Sequence, residues 1–455
     1  MNRITLAVSY LLFWTISIQA QDRTTTIDLN KAEPSLKTFA VPGAGVLFMQ
    51  KASKDDKISS EGKGSYLEAK LHRINTQGEK IWEVNTGKQD VTTSFGVAFS
   101  SKLEYVFYVT GFYKKLSITQ INPEGKVKKF EAKDLFGYSY GHVMFGTTKY
   151  FCFITRRHKY VDGAGKEVYT LNKWDNETLT PSNPTLELPD INKKEKFGNW
   201  FYYGNSEQAI YFISKCRARD KISLRLVALD FEGKLLSDNK IEFALNEYLE
   251  LTGSTSPRLM NDAIFLETND DIYGQLSVHL DSPNNALYTW GMGEWEDQKK
   301  SKGGYFLNKY NLAGQLEWTI QDNIPEPLIK QGFTKIIQRQ ALGSVLQVHY
   351  DQTTSLHVFA PGAIFTMEFL PDGDVRGVFS QKNLGIPSLG EVAFNFVGRE
   401  ESPAFQYLSK KMQTEAKNSA LLDGEFYFFR FLDGELIAEV PKKSEALSLY
   451  WFKRN

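Results

Sequence analysis

Three short stretches repeat one combination of chemistry. Phe112-Tyr113-Lys114-Lys115, Arg156-Arg157-His158-Lys159-Tyr160 and Lys215-Cys216-Arg217-Ala218-Arg219 each cluster cations, the first two with aromatic rings. Each cluster follows a hydroxyl residue, Thr110, Thr155 or Ser214, when the surrounding segments are laid on one another. Arginine binds carboxylate, sulfate or phosphate through paired hydrogen bonds, and neighbouring rings stack on sugars or peptide side chains. Such a patch suits an anionic glycan or an acidic protein surface. Lysine and arginine also occupy sheet edges simply to block aggregation, so the pattern has a structural reading of similar weight. Lys plus Arg and Asp plus Glu both number 54, giving zero formal net charge, so any attraction must be local. Nothing in that balance points to nucleic acid or a membrane surface.

Other reactive groups are sparse. The histidines, His72, His142, His158, His279, His349 and His357, are scattered singly, although His349 and His357 are spaced to face each other across a hairpin. Structural or surface roles are expected for them. Carboxylates gather at Asn269-Asp270-Asp271 and Glu294-Trp295-Glu296-Asp297, on expected loops, where solvation is their ordinary role and a Ca²⁺ site or acid/base pair the rarer one. No CxxC, HExxH or Walker-type GxxxxGK[ST] occurs, so neither metal nor cofactor is expected and no catalytic residue is assigned. Asn176-Glu177-Thr178 is a glycosylation sequon, relevant only in a eukaryotic host.

The elements that must position these groups announce themselves at their turns. "LHRINTQGEKIW" from 71 recurs as "ITQINPEGKVKKF" from 118, "LVALDFEGKLLS" from 226, "LNKYNLAGQLEW" from 307, "TMEFLPDGDVRG" from 366 and "FFRFLDGELIAE" from 428. Each is an alternating apolar segment, a polar interruption closing on Gly, and a second extended segment: a β-hairpin. Asn75, Asn122, Asp230 and Asn311 stand three residues before the glycine, where an Asx side chain caps a type I turn and the Gly takes the left-handed bulge. Val127, Leu235, Leu316, Val375 and Leu436, two past their glycines, are expected to face inward. Trp82 and Trp318, four past, share a face on which a large ring covers the neighbouring sheet. "LNKWDNETLTP" from 171 is a seventh, Gly-less member.

A second hairpin precedes the first. "FGVAFSSKLEYVFYVTG" from 95, "YGHVMFGTTKYFCFITR" from 140 and "NWFYYGNSEQAIYFISK" from 199 each read as strand, tight turn, strand. Two hairpins per period of about 45 to 80 residues make four-stranded propeller blades. The expected fold is therefore all-β, a single β-propeller of about seven blades over 21–455, with six or eight left open by the long interval between Gly233 and Gly314. "SPAFQYLSKKMQTEAKNS" from 402 breaks the pattern as a short packed helix in the last blade, with Phe405, Leu408, Met412 and Ala416 inward. Loops joining second to third strands emerge on one face, which would crowd the three basic clusters onto one rim.

Residues 1–20, with Arg3, an apolar run to Ile18 and Ala20, have the build of a secretory signal peptide, implying an exported protein, periplasmic or extracellular. The two cysteines, Cys152 and Cys216, lie five strand positions apart when Thr155 is laid on Ser214. That is roughly 16 Å, beyond the roughly 7 Å a disulfide spans, so two free thiols are expected.

The Leu/Ile-Asn/Asp-x-x-Gly-x-x-x-Trp pattern, strongest at 71–82 and 307–318, resembles the repeat of quinoprotein-type β-propellers, which include quinone-dependent dehydrogenases and a scaffold lipoprotein of outer-membrane barrel assembly. Those dehydrogenases use a Ca²⁺ site and a vicinal disulfide, and the scaffold a lipidated Cys; this chain has no adjacent cysteines and none near residue 20. The expected function is that of an exported binding or scaffold propeller whose rim comprises Phe112, Tyr113, Lys114, Arg156, Arg157, His158, Tyr160, Lys215, Arg217 and Arg219. The alternative is a carbohydrate-active hydrolase or lyase with carboxylates at the propeller funnel.

Overall fold

The computed structural model describes residues 23–28, 35–53, 66–87, 89–90, 94–133, 139–190, 200–244, 249–250, 277–323, 344–382 and 424–453, a few positions within these spans excepted, and 403, 404, 406 and 407. The signal-like segment, the acidic triplet at 269–271 and Arg219 lie outside the described residues.

Almost every described element is a strand. The first, β1 (Arg23–Asp28), belongs to the last sheet. Blade 1 is β2 (Ser35–Val41), β3 (Gly45–Ser53), β4 (Tyr66–Ile74) and β5 (Lys80–Asn85), with the two-residue β6 (Gln89–Asp90) added on β4. Blade 2 is β7 (Ser94–Phe99), β8 (Val106–Phe112), β9 (Lys115–Ile121) and β10 (Val127–Lys133). Blade 3 is β11 (Ser139–Gly146), β12 (Tyr150–Val161), β13 (Ala164–Asp175) and β14 (Pro181–Ser182). Blade 4 is β15 (Phe201–Asn205), β16 (Ile210–Arg217), β17 (Lys221–Leu229) and β18 (Leu235–Ala244). In blade 5 the two-residue β19 (Leu249–Glu250) joins β20 (Ser277–Asp281), β21 (Ala286–Asp297), β22 (Lys300–Asn311) and β23 (Leu316–Asn323). Blade 6 is β24 (Ser344–Val348), β25 (Thr354–Ala360), β26 (Ala363–Phe369) and β27 (Val375–Lys382). Blade 7 is β28 (Gly424–Arg430), β29 (Gly434–Pro441) and β30 (Ala446–Lys453), and β1 supplies its fourth strand. The chain is a seven-bladed β-propeller, with no additional sheet among the described residues between Gly233 and Gly314. By internal contacts it divides into two compact units, Met1–Ala52 with Ala69–Glu83 and Gly385–Asn455, and Ser53–Glu68 with Val84–Leu384.

The glycine turns form as their residue types dictate. Gly78, Gly125, Gly233, Gly314 and Gly373 have φ between +76° and +96°, which only glycine adopts without strain. Asn75 Oδ1 accepts the backbone N–H groups of Gln77 and Glu79, and Asn122, Asp230 and Asn311 cap their own turns likewise. In the Gly-less member, Asp175 caps and Leu179 takes the left-handed conformation at φ 57°.

From blade 2 to blade 6, the outer segment of one blade bonds the turn of the next. Within the second unit, Lys128 Nζ donates to the Glu177 carbonyl (3.2 Å), the Glu187 N–H to the Gly233 carbonyl (2.8 Å), Asn239 Nδ2 to the Leu312 carbonyl (3.5 Å) and Trp318 Nε1 to the Pro371 carbonyl (3.0 Å). The place four past the glycine thus puts the Trp318 ring over the following turn, at Gly373. Between the blades lie apolar cores, such as Phe107, Phe151, Phe153 and Trp174 between blades 2 and 3, and Tyr288, Trp290, Leu356 and Phe369 between blades 5 and 6.

Several expectations are corrected. Val127, Leu235, Leu316 and Val375 are 41%, 44%, 53% and 48% exposed, not inward-facing. In blades 4 and 5 the parity is right, for Ser237, Asn239 and Ile241, and Trp318 and Ile320, are at least partly covered. The position two past the glycine sits at the end of the outer strand, short of that cover. Leu436 is fully buried because Gly434 belongs to a different hairpin, β28–β29, the first and second strands of blade 7. His349 and His357 do not face each other: His357 pairs across the ladder with Val345, and His349 with Thr353 at the turn. Their rings bond hydroxyls instead, His349 Nε2 to Ser355 Oγ (2.7 Å) and His357 Nδ1 to Thr366 Oγ1 (2.8 Å). Glu294 to Asp297 lie in β21, not in a loop. Of the helical stretch, Pro403, Ala404, Gln406 and Tyr407 are helical. Ala404 is buried, and the Tyr407 ring packs at a tilt against Tyr450 and Phe452, so the packed side includes these residues; Phe405, Leu408, Met412 and Ala416 lie outside the described side chains.

Burial also sets the charge of His72, a fully buried residue in β4. Desolvation lowers its pKa to about 4, outweighing the Glu83 carboxylate 3.5 Å from Nδ1, while Lys70 and Lys80 push the same way as burial. The imidazole is therefore neutral at pH 7. Because the unfolded chain takes up this proton near pH 6.5 and the folded one only near pH 4, stability is full above pH 6.5 and falls as pH drops between those values. The fall is expected to reach about 3 kcal/mol in denaturant titrations, and His72→Gln should flatten it.

Candidate functional site

Two kinds of turn share one end of blades 2 to 5. Asn176, beside the capping Asp175 of blade 3, donates from Nδ2 to the carbonyls of Thr147 (2.9 Å) and Thr148 (3.0 Å) in the first-to-second-strand turn of the same blade. Glu207, in that turn of blade 4, accepts from Ser101 Oγ of blade 2 (2.6 Å) and the Thr148 N–H of blade 3 (2.7 Å). The second-to-third-strand hairpins therefore occupy the opposite end. Asn176 is also 2% exposed, so the folded protein leaves no room for a glycan on that sequon.

The basic clusters lie at this opposite end, but on ladders more than loops. Thr110, Thr155 and Ser214 are buried. In blade 2, Phe112 pairs with Lys115 around Tyr113 and Lys114, which lie outside the described residues. In blade 3, Arg156 pairs with Tyr169, Arg157 with Val168, His158 with Glu167, Lys159 with Lys166 and Tyr160 with Gly165. In blade 4, Lys215 pairs with Leu224 and Arg217 with Ile222. Period two places Arg156 and Arg157 on opposite faces of β12.

Some of these cations already have acidic partners. Arg156 Nη1 is 3.5 Å from Glu167 Oε1, and the Tyr169 hydroxyl lies between Glu167 Oε2 (2.8 Å) and the Trp200 carbonyl (2.6 Å). Burial first, and Glu167 second, push the Tyr169 hydroxyl well above its ordinary range. Lys115 pairs with Glu131 at 2.5 Å and holds that carboxyl below its usual range. Arg157, by contrast, is exposed and has no ion-pair partner among the described residues. Reading cations alone missed Glu167 and Glu131, whose signal was their place on the returning strands. Among the described residues no three His, Cys, Asp or Glu side chains gather to hold a metal, and no helix is long and apolar enough to cross a membrane. Cys152 is a buried free thiol whose pKa burial raises; of Cys216 the structure describes only the backbone.

No protein-family model and no curated protein matches the sequence. Among solved structures, the chain is similar to the Dos1 propeller, at 7% identity and TM-score 0.34 over 95% of each chain. It is also similar to the β-propeller domain of the Trilobed protease from Pyrococcus furiosus, at 8% identity and TM-score 0.37 over 92% of this chain and 94% of that one. The β-propeller domain of Nup133 from Vanderwaltozyma polyspora matches at 8% identity and TM-score 0.31 over 93% and 100%.

Proposed function

We propose that this chain is an exported binding or scaffold propeller, periplasmic or extracellular, that engages an anionic glycan or an acidic protein through the second-to-third-strand edge of blades 2 to 4. One observation carries the reading: a chain of zero net charge sets cations at the same end of three consecutive blades, with Arg157 exposed there. The signal-like segment at 1–20 supports export, and the quinoprotein-type repeat supports a scaffold of that kind. Lys114, Arg157, Lys159, Lys215, Arg217 and Arg219 are the groups assigned to the partner, with Phe112, Tyr113, His158 and Tyr160 beside them. Arg156 positions the edge through Glu167.

The test is charge reversal at Arg157, Lys159, Lys215 and Arg217, each to Glu, assayed against immobilised sulfated glycan and an acidic polypeptide. Binding should weaken at least about tenfold and be salt-sensitive in the unaltered protein. The melting temperature should hardly move, because exposed ion pairs contribute only about 0 to 1 kcal/mol each. Equal binding by both proteins at every salt concentration would make these residues edge protection.

A further inference from the structure

The turns between the first and second strands of blades 2, 3 and 4 share one carboxylate. Glu207 Oε1 accepts from the hydroxyl (2.6 Å) and the N–H (3.3 Å) of Ser101, and Oε2 from the Thr148 N–H (2.7 Å). Blade 3 stands between blades 2 and 4 in the chain, so one side chain bridges two blades that are not consecutive. The two shorter bonds have the lengths of charge-assisted hydrogen bonds. Every donor is neutral, and Glu207 has no ion pair among the described residues. The donors serve both oxygens of one planar group and offer no cation to balance a second negative charge. A monoanionic carboxylate is the class of ligand they select.

The walls of this cradle stand without Glu207. In blade 2 the Ser100 N–H donates to the Tyr105 carbonyl (3.0 Å), the Leu103 N–H to the Ser100 carbonyl (2.9 Å) and the Tyr105 N–H to Ser100 Oγ (3.0 Å). Leu103 is held in that turn at φ 53°, a left-handed conformation that leucine seldom takes and that marks a constrained turn. In blade 3 Asn176 pins the Thr147 and Thr148 carbonyls, and Thr147 Oγ1 accepts the N–H groups of Lys149 (3.2 Å) and Tyr150 (2.8 Å). In blade 4 Ser206 Oγ accepts from the N–H groups of Gln208 (3.2 Å) and Ala209 (3.0 Å), which fixes the backbone on either side of Glu207. Only the Glu207 side chain, in a half-buried residue beside the exposed Thr148, has to rotate for the carboxylate to leave. The Ser101 and Thr148 donors then keep their positions, and a preorganised site binds without the cost of ordering its loops.

We propose that Ser101 and Thr148 form a carboxylate-binding site at the end opposite the basic edge, with Glu207 as a tethered ligand that an external carboxylate displaces. The site is independent of the basic edge and of its partner. The experiment follows the Ser101 and Thr148 amide resonances of the full chain at neutral pH during titration with sodium acetate, against sodium chloride at equal ionic strength. In Glu207→Ala, acetate should shift both resonances saturably, at a concentration at least about tenfold lower than in the unaltered protein, where the tethered carboxylate competes at a high effective concentration. Glu207→Gln, which keeps the size of the side chain but not its charge, should respond in the same way and serves if the alanine variant does not fold. Adding Ser101→Ala to either variant should weaken acetate binding at least about tenfold, because a hydrogen bond to a charged group is lost. A pentaglutamate peptide is the second probe. Saturation at a lower carboxylate concentration than acetate assigns the site to a polypeptide carboxylate, and the reverse assigns it to a small free acid. No shift beyond the chloride control in either variant, or the same acetate dependence in both variants and the unaltered protein, overturns the proposal and leaves Glu207 a latch between blades.

Discussion

Removing residues 1–28 is expected to abolish cooperative unfolding, or to lower stability by more than about 5 kcal/mol in urea titrations, a large share of what holds a domain folded. The segment includes β1, which pairs residue for residue with β30, from Arg23 opposite Trp451 to Asp28 opposite Ala446. Its loss exposes that ladder edge and uncovers the site of Ile27, a fully buried side chain whose truncation to alanine alone should cost about 2 to 5 kcal/mol. It also removes Thr25 Oγ1, which donates to the Gly78 carbonyl (3.1 Å) of blade 1. A peptide of residues 22–29 added in trans should restore part of the lost signal. An unchanged unfolding midpoint after truncation would show that the ladder contributes little.

Replacing Gly233 with alanine should destabilise the protein by about 4 kcal/mol, whereas the same change at Gly43 should cost only about 1 kcal/mol. Both glycines have positive φ, +85° and +67°, so both substitutions strain the backbone. They differ in surroundings. A Cβ at Gly233 would stand 2.3 Å from the Thr185 carbonyl oxygen, a backbone atom that cannot rotate away, while nothing lies within 4 Å of one at Gly43. Relief of that overlap would also stretch the bond from the Glu187 N–H to the Gly233 carbonyl. Comparable urea midpoints for the two variants would mean that the contact between blades 3 and 4 yields freely.

The turns were legible in the sequence because their chemistry is local. An Asx residue three before a glycine caps the turn whatever surrounds it, and even the Gly-less member at Asp175 could be aligned, with Leu179 taking the glycine's conformation. The spacing of those turns also determined the four-stranded blade and a number near seven. Part of the site was equally local: basic residues after Thr110, Thr155 and Ser214 share a place in consecutive hairpins because the hairpins are register-equivalent.

What depended on distant partners was not readable. β1 and β30 meet across more than four hundred residues of chain, so the hairpin at Gly434 was assigned to the wrong strand pair in a blade whose fourth strand comes from the other terminus. The exposure of Val127, Leu235 and Leu316 follows from where the neighbouring blade stops, and alternation within one strand carries no record of that. Likewise the sequence determined which residues of the basic edge carry positive charge. Only the tertiary structure decided that Arg156 turns to Glu167 while Arg157 faces solvent, because strand pairing brings an acid from the returning strand to one face of β12.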